Sequence, residues 1–600
     1  MSETKLRSEI DEKYKWDLTP IYSSDVEFYK DLDKLSKEVK KITGYKGTLS
    51  KSGKSLFDAL KFDEEIDKLS NHLYMYAHLN KDSDTTNNKY REMYDKLINI
   101  MNEYDELISF FLPELLKMDY SLIEKFYSEY EPLKEYKFIL EIIYRKKDHM
   151  LTEQEERIIS KFNKISSLPE DVYDTFVSSD ITFDSIKDEN GNDVELTDSN
   201  FSLYIRSKDR RVREDAFKSL YNGYKKYKNT ISLLLANDIG VNNTLSNLRN
   251  YSSSMEAALF SDNVDIEVYN NLVNTVEDNL NVLYKYLDLK KKVLKLDDLH
   301  LYDVYTSLTD EIDKKYTFDE AKQLVLETVK VFGDDYLNII KKAFDERWID
   351  IYPNKGKVGG AYSSGSYTTN PYILLNFQGQ QTDISTLIHE LGHSMHSYFS
   401  KENNPYQYSH YKIFVAEVAS TVNELLLSYY LYNNSSDDKE KLDILNRRME
   451  LFRTTIYRQT MFASFEKKLY EMEQKGEILT SDKMCDIYYE LNKKYFGKDV
   501  IIDEEIKYEW EKVPHFYYNF YVYKYATGLS AACDIVTRIM NKEENAVEKY
   551  LEFLKTGGSM YPLDELKIAG VDLTKKEVIE NAIKMFDDTI EEFNNIINKH

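Results

Sequence analysis

Nine prolines and nineteen glycines in 600 residues, with no proline between Pro169 and Pro353, leave this chain long stretches without the residues that break helices. The expectation is a mainly α-helical protein. Six hundred residues exceed one compact core, so two or more lobes are expected, and a cleft between lobes is a favoured ligand site.

Apolar positions three and four apart, as in Leu97, Met101, Tyr104 and Ile108, predict helices from about Ser24 to Ile165. The stretch ITFDSIKDENGNDVELT then places two β-prone runs around Asn190, Gly191 and Asn192, which reads as a hairpin. The expected division is an amino-terminal helical lobe, residues 1–200, ending in that hairpin, and a catalytic lobe, residues 201–600. Helical pattern breaks once more at IYPNKGKVGGAYSSGSYTTNPYILLNF, a glycine-rich loop with one or two strands.

Composition narrows the function. A net charge of −25 repels phosphates and no basic stripe is present, so nucleic acid is an unexpected partner. No apolar run approaches the ~18 residues of a membrane span, and the charged start MSETKLRSEIDEKYKW lacks the core of a signal peptide. A cytoplasmic location without membrane contact is expected. Cys485 and Cys533, two thiols in 600 residues, fit ordinary buried thiols better than a disulfide.

The chemistry lies at HELGH, His389 to His393. Residues i and i+4 share a helix face, so both imidazoles can reach one ion while Glu390 points beside it at a water on that ion. With ten histidines in the chain, chance would supply this pattern only ~0.02 times. Ile384, Leu387, Ile388, Leu391 and Met395 fall within one arc at about 100° per residue, leaving His389 and His393 on the other side. One catalytic zinc needs a third protein ligand. His396 is nearest, but seven residues at 1.5 Å each put it about 10 Å along the axis from His389, too far for bonds of ~2 Å. Glu417, set among Phe414, Val415, Ala416, Val418 and Ala419, is expected to be a buried carboxylate whose cost a cation or an ion-pair partner would remove. Glu424, seven residues on, is the reserve ligand or a partner behind the ligands.

HELGHSMH followed by AEVAST resembles the thimet-oligopeptidase-like zinc metallopeptidases, most closely their oligoendopeptidase F branch. EKYKWDLTPIY, YPNKGKVGGAYSSG, ILLNF and GGSMYPLDELKIAGVD extend the likeness over almost the whole chain. The resemblance implies that Glu417 is the third ligand and that the fold is a two-lobed helical peptidase with a deep central channel and a small β element near the active site. It further implies oligopeptide substrates cut internally, with folded proteins excluded because only a flexible chain of limited length would reach an ion between lobes. In PHFYYNFYVYKYATG, Tyr517, Tyr518, Tyr521, Tyr523 and Tyr525 all offer hydroxyls, and periodicity does not choose among them or exclude simple packing. The family likeness assigns His515 and Tyr523 to steadying the oxyanion and Tyr517 to substrate. The loop from Gly359 to Tyr367, with Gly360 and Ala361, would let a peptide backbone approach and add as a strand. Two alternatives share these features: a zinc carboxypeptidase of related helical fold, and a non-catalytic helical peptide-binding protein.

Overall fold

A computed structural model describes residues 5–310, 312 and 314–599. Helices dominate, as the scarcity of proline allows, and all seven strands among the described residues have two or three residues. The chain forms two compact units, neither a continuous stretch. One comprises Met1–Asp148, Asp313–Leu427 and Ile535–Gly570; the other comprises His149–Ile312, Ser428–Asp534 and Val571–His600.

In the first unit the helix Gly53–Ser83 starts where the Ser52 hydroxyl accepts the Ser55 backbone N–H at 3.1 Å, satisfying one of the orphan donors of the first turn. The helix Asn88–Ile108 buries Met93, Leu97 and Tyr104, the predicted periodic face, with Met101 and Ile108 at its margins. Leu49, Leu56, Leu115, Ile123, Leu133 and Leu140 are completely buried in one cluster, each such side chain stabilising by ~1.5–3 kcal/mol.

The same unit holds the small β element. Tyr372–Leu374 is the central strand, parallel to Ile349–Asp350 and antiparallel to Tyr362–Ser364, with Ser363 opposite Ile373. The apolar run explains the central position, since all three of its side chains are inaccessible to solvent. Tyr362–Ser364, drawn from the glycine-rich loop, is left at the sheet edge.

The second unit contains the expected hairpin, Ile186–Lys187 paired with Asp193–Val194, whose turn sets Gly191 at φ +82° and lets Asp188 accept the backbone N–H groups of Asn190 and Asn192. The chain passes between units at Asp148–His149, ahead of this hairpin. Cys485 and Cys533 are both free and buried here. Among the described residues no helix is long and apolar enough to cross a membrane.

Candidate active site

The motif sits in the helix Gln381–Asn403, opened by Asp383, whose Oδ2 accepts the N–H groups of Gln378 and Gln380 at 2.7 and 2.9 Å. Ile384, Leu387, Ile388, Leu391 and Met395 are all at most 1% exposed, the arc read from the sequence. His389 and His393 lie off it and are part-exposed.

Gly392 explains how the helix Ile413–Asn434, which carries Glu417, comes close. A Cβ at Gly392 would stand 2.6 Å from Ser420 Cα, 2.8 Å from Ala419 O and 2.9 Å from Ser420 N, so the two backbones touch where only hydrogen fits. Buried Asn423 ties the helices together, its Nδ2 donating to Ile388 O at 3.2 Å.

That approach brings Glu417 to the histidines. Its Oε2 is 3.5 Å from His389 Nε2 and 3.6 Å from His393 Nε2, and the two imidazole nitrogens are 3.1 Å apart. For metal–ligand bonds of ~2.0–2.1 Å a tetrahedral site has edges of about 3.3 Å, so this triangle fits zinc. It is the one group of three or more such ligands found among the described residues. Glu417 is not, however, the buried carboxylate that its apolar sequence neighbours suggest, because its side chain is 51% exposed. Phe414, Val415, Val418 and Ala419 pack on another face, and Glu417 projects away from them.

Glu424 accepts from His389 Nδ1 at 2.6 Å, which turns Nε2 toward Glu417. Burial alone would lower the His389 pKa, but the Glu424 hydrogen bond leaves it above the ordinary histidine value. His393, held down by burial and by His389, falls to about 4. Glu390 is 6% exposed and its Oε2 has no hydrogen-bond partner. Burial pushes its pKa up to about 7, with His389 pulling down and Glu417 pushing further up. Two imidazoles and the Glu417 carboxylate beside an unsatisfied buried carboxyl are a donor set suited to a cation and a water. His396 is wholly buried, stacked on Tyr411 at 3.6 Å, and outside the ligand group, as helix geometry requires.

The glycine-rich loop adjoins this centre. Ser363 Oγ lies 2.8 Å from Ser394 Oγ, fixing the edge strand against the motif helix one residue past His393. Gly360 is exposed at φ +78°, and Asn376 Nδ2 donates to its carbonyl at 2.9 Å. Ala361 is half-buried.

His515, Tyr517 and Tyr523 belong to the second unit. His515 is half-buried, its Nε2 3.1 Å from the Tyr525 hydroxyl, with Tyr518 and Tyr521 also beside it. Tyr517 and Tyr523 are buried, against Tyr173 and Tyr269 respectively. The turn preceding Tyr521 is left-handed, with Asn519 at φ +37° and Phe520 at φ +57°, and buried Glu466 holds it by accepting the Phe520 N–H at 2.7 Å. Glu466 and Gly392 were not anticipated. A glycine inside a helical motif was the available signal for the latter.

Residues 203–585 match Peptidase family M3, and residues 114–183 match Oligopeptidase F. Oligopeptidase PepF of Bacillus subtilis is 42% identical over 99% of this chain and 88% of its own length. A crystal structure from Chlamydophila abortus is 35% identical, covering 99% of this chain and all of the other, with a TM-score of 0.94. The crystal structure of oligoendopeptidase-F from Enterococcus faecium is 34% identical, covering 96% of this chain and all of the other, with a TM-score of 0.74. A family match across most of the chain, together with relatives this similar over nearly its whole length, assigns the chain to peptidase family M3, in the oligoendopeptidase F branch.

Proposed function

We propose that this peptidase is a zinc endopeptidase that cleaves internal bonds of short oligopeptides, with one ion held by His389, His393 and Glu417 and with Glu390 as general base. The observation that carries the reading is the triangle of 3.1, 3.5 and 3.6 Å formed by the three ligand atoms beside a buried, unsatisfied Glu390 carboxyl oxygen. A zinc ion there supplies Lewis acidity, lowering the pKa of a water and polarising a peptide carbonyl.

The chain's own groups do the rest. Glu390, with a pKa near neutrality, takes the proton of the attacking water at Oε2 and returns it to the leaving amine. Glu424 fixes the tautomer and direction of His389. The edge strand Tyr362–Ser364, with Gly360 and Ala361 before it, offers main chain along which a peptide pairs as an added strand, so recognition depends little on side chains. The part-exposed His515 supports an assignment as a donor to the developing oxyanion. Tyr523 keeps that assignment by resemblance alone, and Tyr517 its contact with substrate. Burial favours Tyr521 and Tyr525, grouped with His515, as the hydroxyls able to reach a ligand.

Metal analysis of the purified chain, paired with mass mapping of products from a peptide blocked at both ends, tests the reading. One zinc per chain and cleavage at an internal bond are expected. Release of single residues from the carboxyl end of unblocked peptides alone, or zinc without turnover, would overturn it.

A further inference from the structure

A cavity of about 250 Å³ opens beside the catalytic centre, wholly within the first unit. Its walls include Ser363, Ser366, Ser397, Lys401, His410 and Tyr411. Ser363 is joined to Ser394, next to His393, so one wall of the cavity is fixed beside the candidate metal ligands. Beyond the strand the chain stays beside the motif helix as far as Thr369, whose carbonyl meets Lys401, eight residues beyond His393, or about 12 Å at 1.5 Å per residue.

Lys401 is a part-buried ammonium without a counter-charge. It donates to the Thr369 carbonyl and lies 5.7 Å from the ring centre of Tyr398, but no described carboxylate comes within 4.0 Å of its Nζ. Burial draws its pKa below the ordinary lysine value, with neighbouring Glu402 opposing. A part-buried cation with two unused N–H donors, on the wall of an open polar cavity, is a site that an anion would complete.

We propose that this cavity is a subsite of the peptidase and that Lys401 receives a carboxylate of the bound peptide. The spacing sets its position along the peptide: an extended peptide rises ~3.3 Å per residue, so about 12 Å separates the scissile bond from a group three or four residues away. Both a free carboxyl terminus and an Asp or Glu side chain offer this chemistry at that distance. The inference rests on the peptidase reading and adds a charge preference that the catalytic residues alone would not confer.

The test uses the zinc-loaded full chain and acetylated peptides with one mapped internal cleavage site. One arm compares a free carboxyl terminus with its amide at the third or fourth residue from the cleaved bond; the other compares Glu with Gln there, on either side. Wild type is expected to favour the charged member of at least one pair by about tenfold in kcat/KM, expressed in KM, as a charge-assisted hydrogen bond would give. The arm that responds identifies the source of the carboxylate. Lys401→Met should bring the ratio toward one, and Lys401→Arg should retain it. Equal cleavage of all pairs by wild type, or an undiminished ratio in Lys401→Met, overturns the subsite while leaving the peptidase reading intact. If wild type cleaves no member of the set, the peptidase reading fails and the subsite falls with it.

Discussion

Replacing Gly392 with alanine adds one methyl group at the contact that brings the two ligand helices together. The added carbon would sit 2.6 Å from Ser420 Cα, whereas ordinary van der Waals contact begins at 3.4 Å, so the helices must part by about 0.8 Å. Ser420 is backbone on the helix that carries Glu417, three residues away, so the carboxylate moves with it. Two energies compete. Alanine favours a helix interior by ~1 kcal/mol over glycine, while overpacking costs ~1–3 kcal/mol. The fold should lose at most ~2 kcal/mol. The site should lose more, because metal–ligand distances hold within about 0.2 Å and a misplacement near 1 Å costs about 10²-fold in rate. The expected Gly392→Ala protein melts within a few degrees of wild type but shows roughly 10²-fold weaker zinc binding by chelator competition and a similar fall in kcat/KM on an end-blocked peptide. Gly44→Ala, where a Cβ meets nothing within 4 Å, is the control and should match wild type. Wild-type zinc affinity and turnover in Gly392→Ala would refute the claim that helix contact sets the ligand geometry.

Glu424→Ala should weaken zinc binding about 10–100-fold, read by the same competition, because His389 loses the acceptor that orients it; unchanged affinity would reduce Glu424 to a bystander. Glu466 gives a pH signature. Burial, with Asp238 adding to it, pushes its pKa from the ordinary 4.5 up to about 8. A raised carboxyl pKa means that the folded state binds the extra proton, so this stability is complete below pH ~4.5 and is lost as pH rises through about 8. Glu466→Gln keeps an acceptor for the Phe520 N–H but does not titrate. The melting temperature of wild type should therefore fall relative to Glu466→Gln between pH 5 and 8, and parallel profiles would contradict the assignment.

Much of the catalytic half was legible in the primary structure because HELGH carries its geometry in its spacing, and the buried arc on the same helix followed from a 3.6-residue period. Asn190, Gly191 and Asn192 mark the hairpin because Gly191 takes the positive φ its turn needs and the two asparagines donate to the Asp188 carboxylate that closes it. The family likeness points to Glu417, whereas the burial expected of it does not hold. Its sequence neighbours are apolar, but it projects away from the buried face formed by Val415, Val418 and Val422, and a strict periodic reading would have placed it in solvent contact. The interleaving of the two units was invisible because it depends on contacts between residues hundreds of positions apart. Choosing among the tyrosines after His515 needed burial, which a run of similar side chains among 51 does not reveal.

The most direct test of the account is Glu390→Gln, which keeps the size of the side chain and removes its basicity while leaving His389, His393 and Glu417 untouched. Zinc content and cleavage of an end-blocked peptide are measured on the same preparation. Retention of one zinc per chain with kcat/KM reduced about 10²- to 10⁴-fold is the predicted result. A zinc-loaded Glu390→Gln protein that cleaves at the wild-type rate would contradict it.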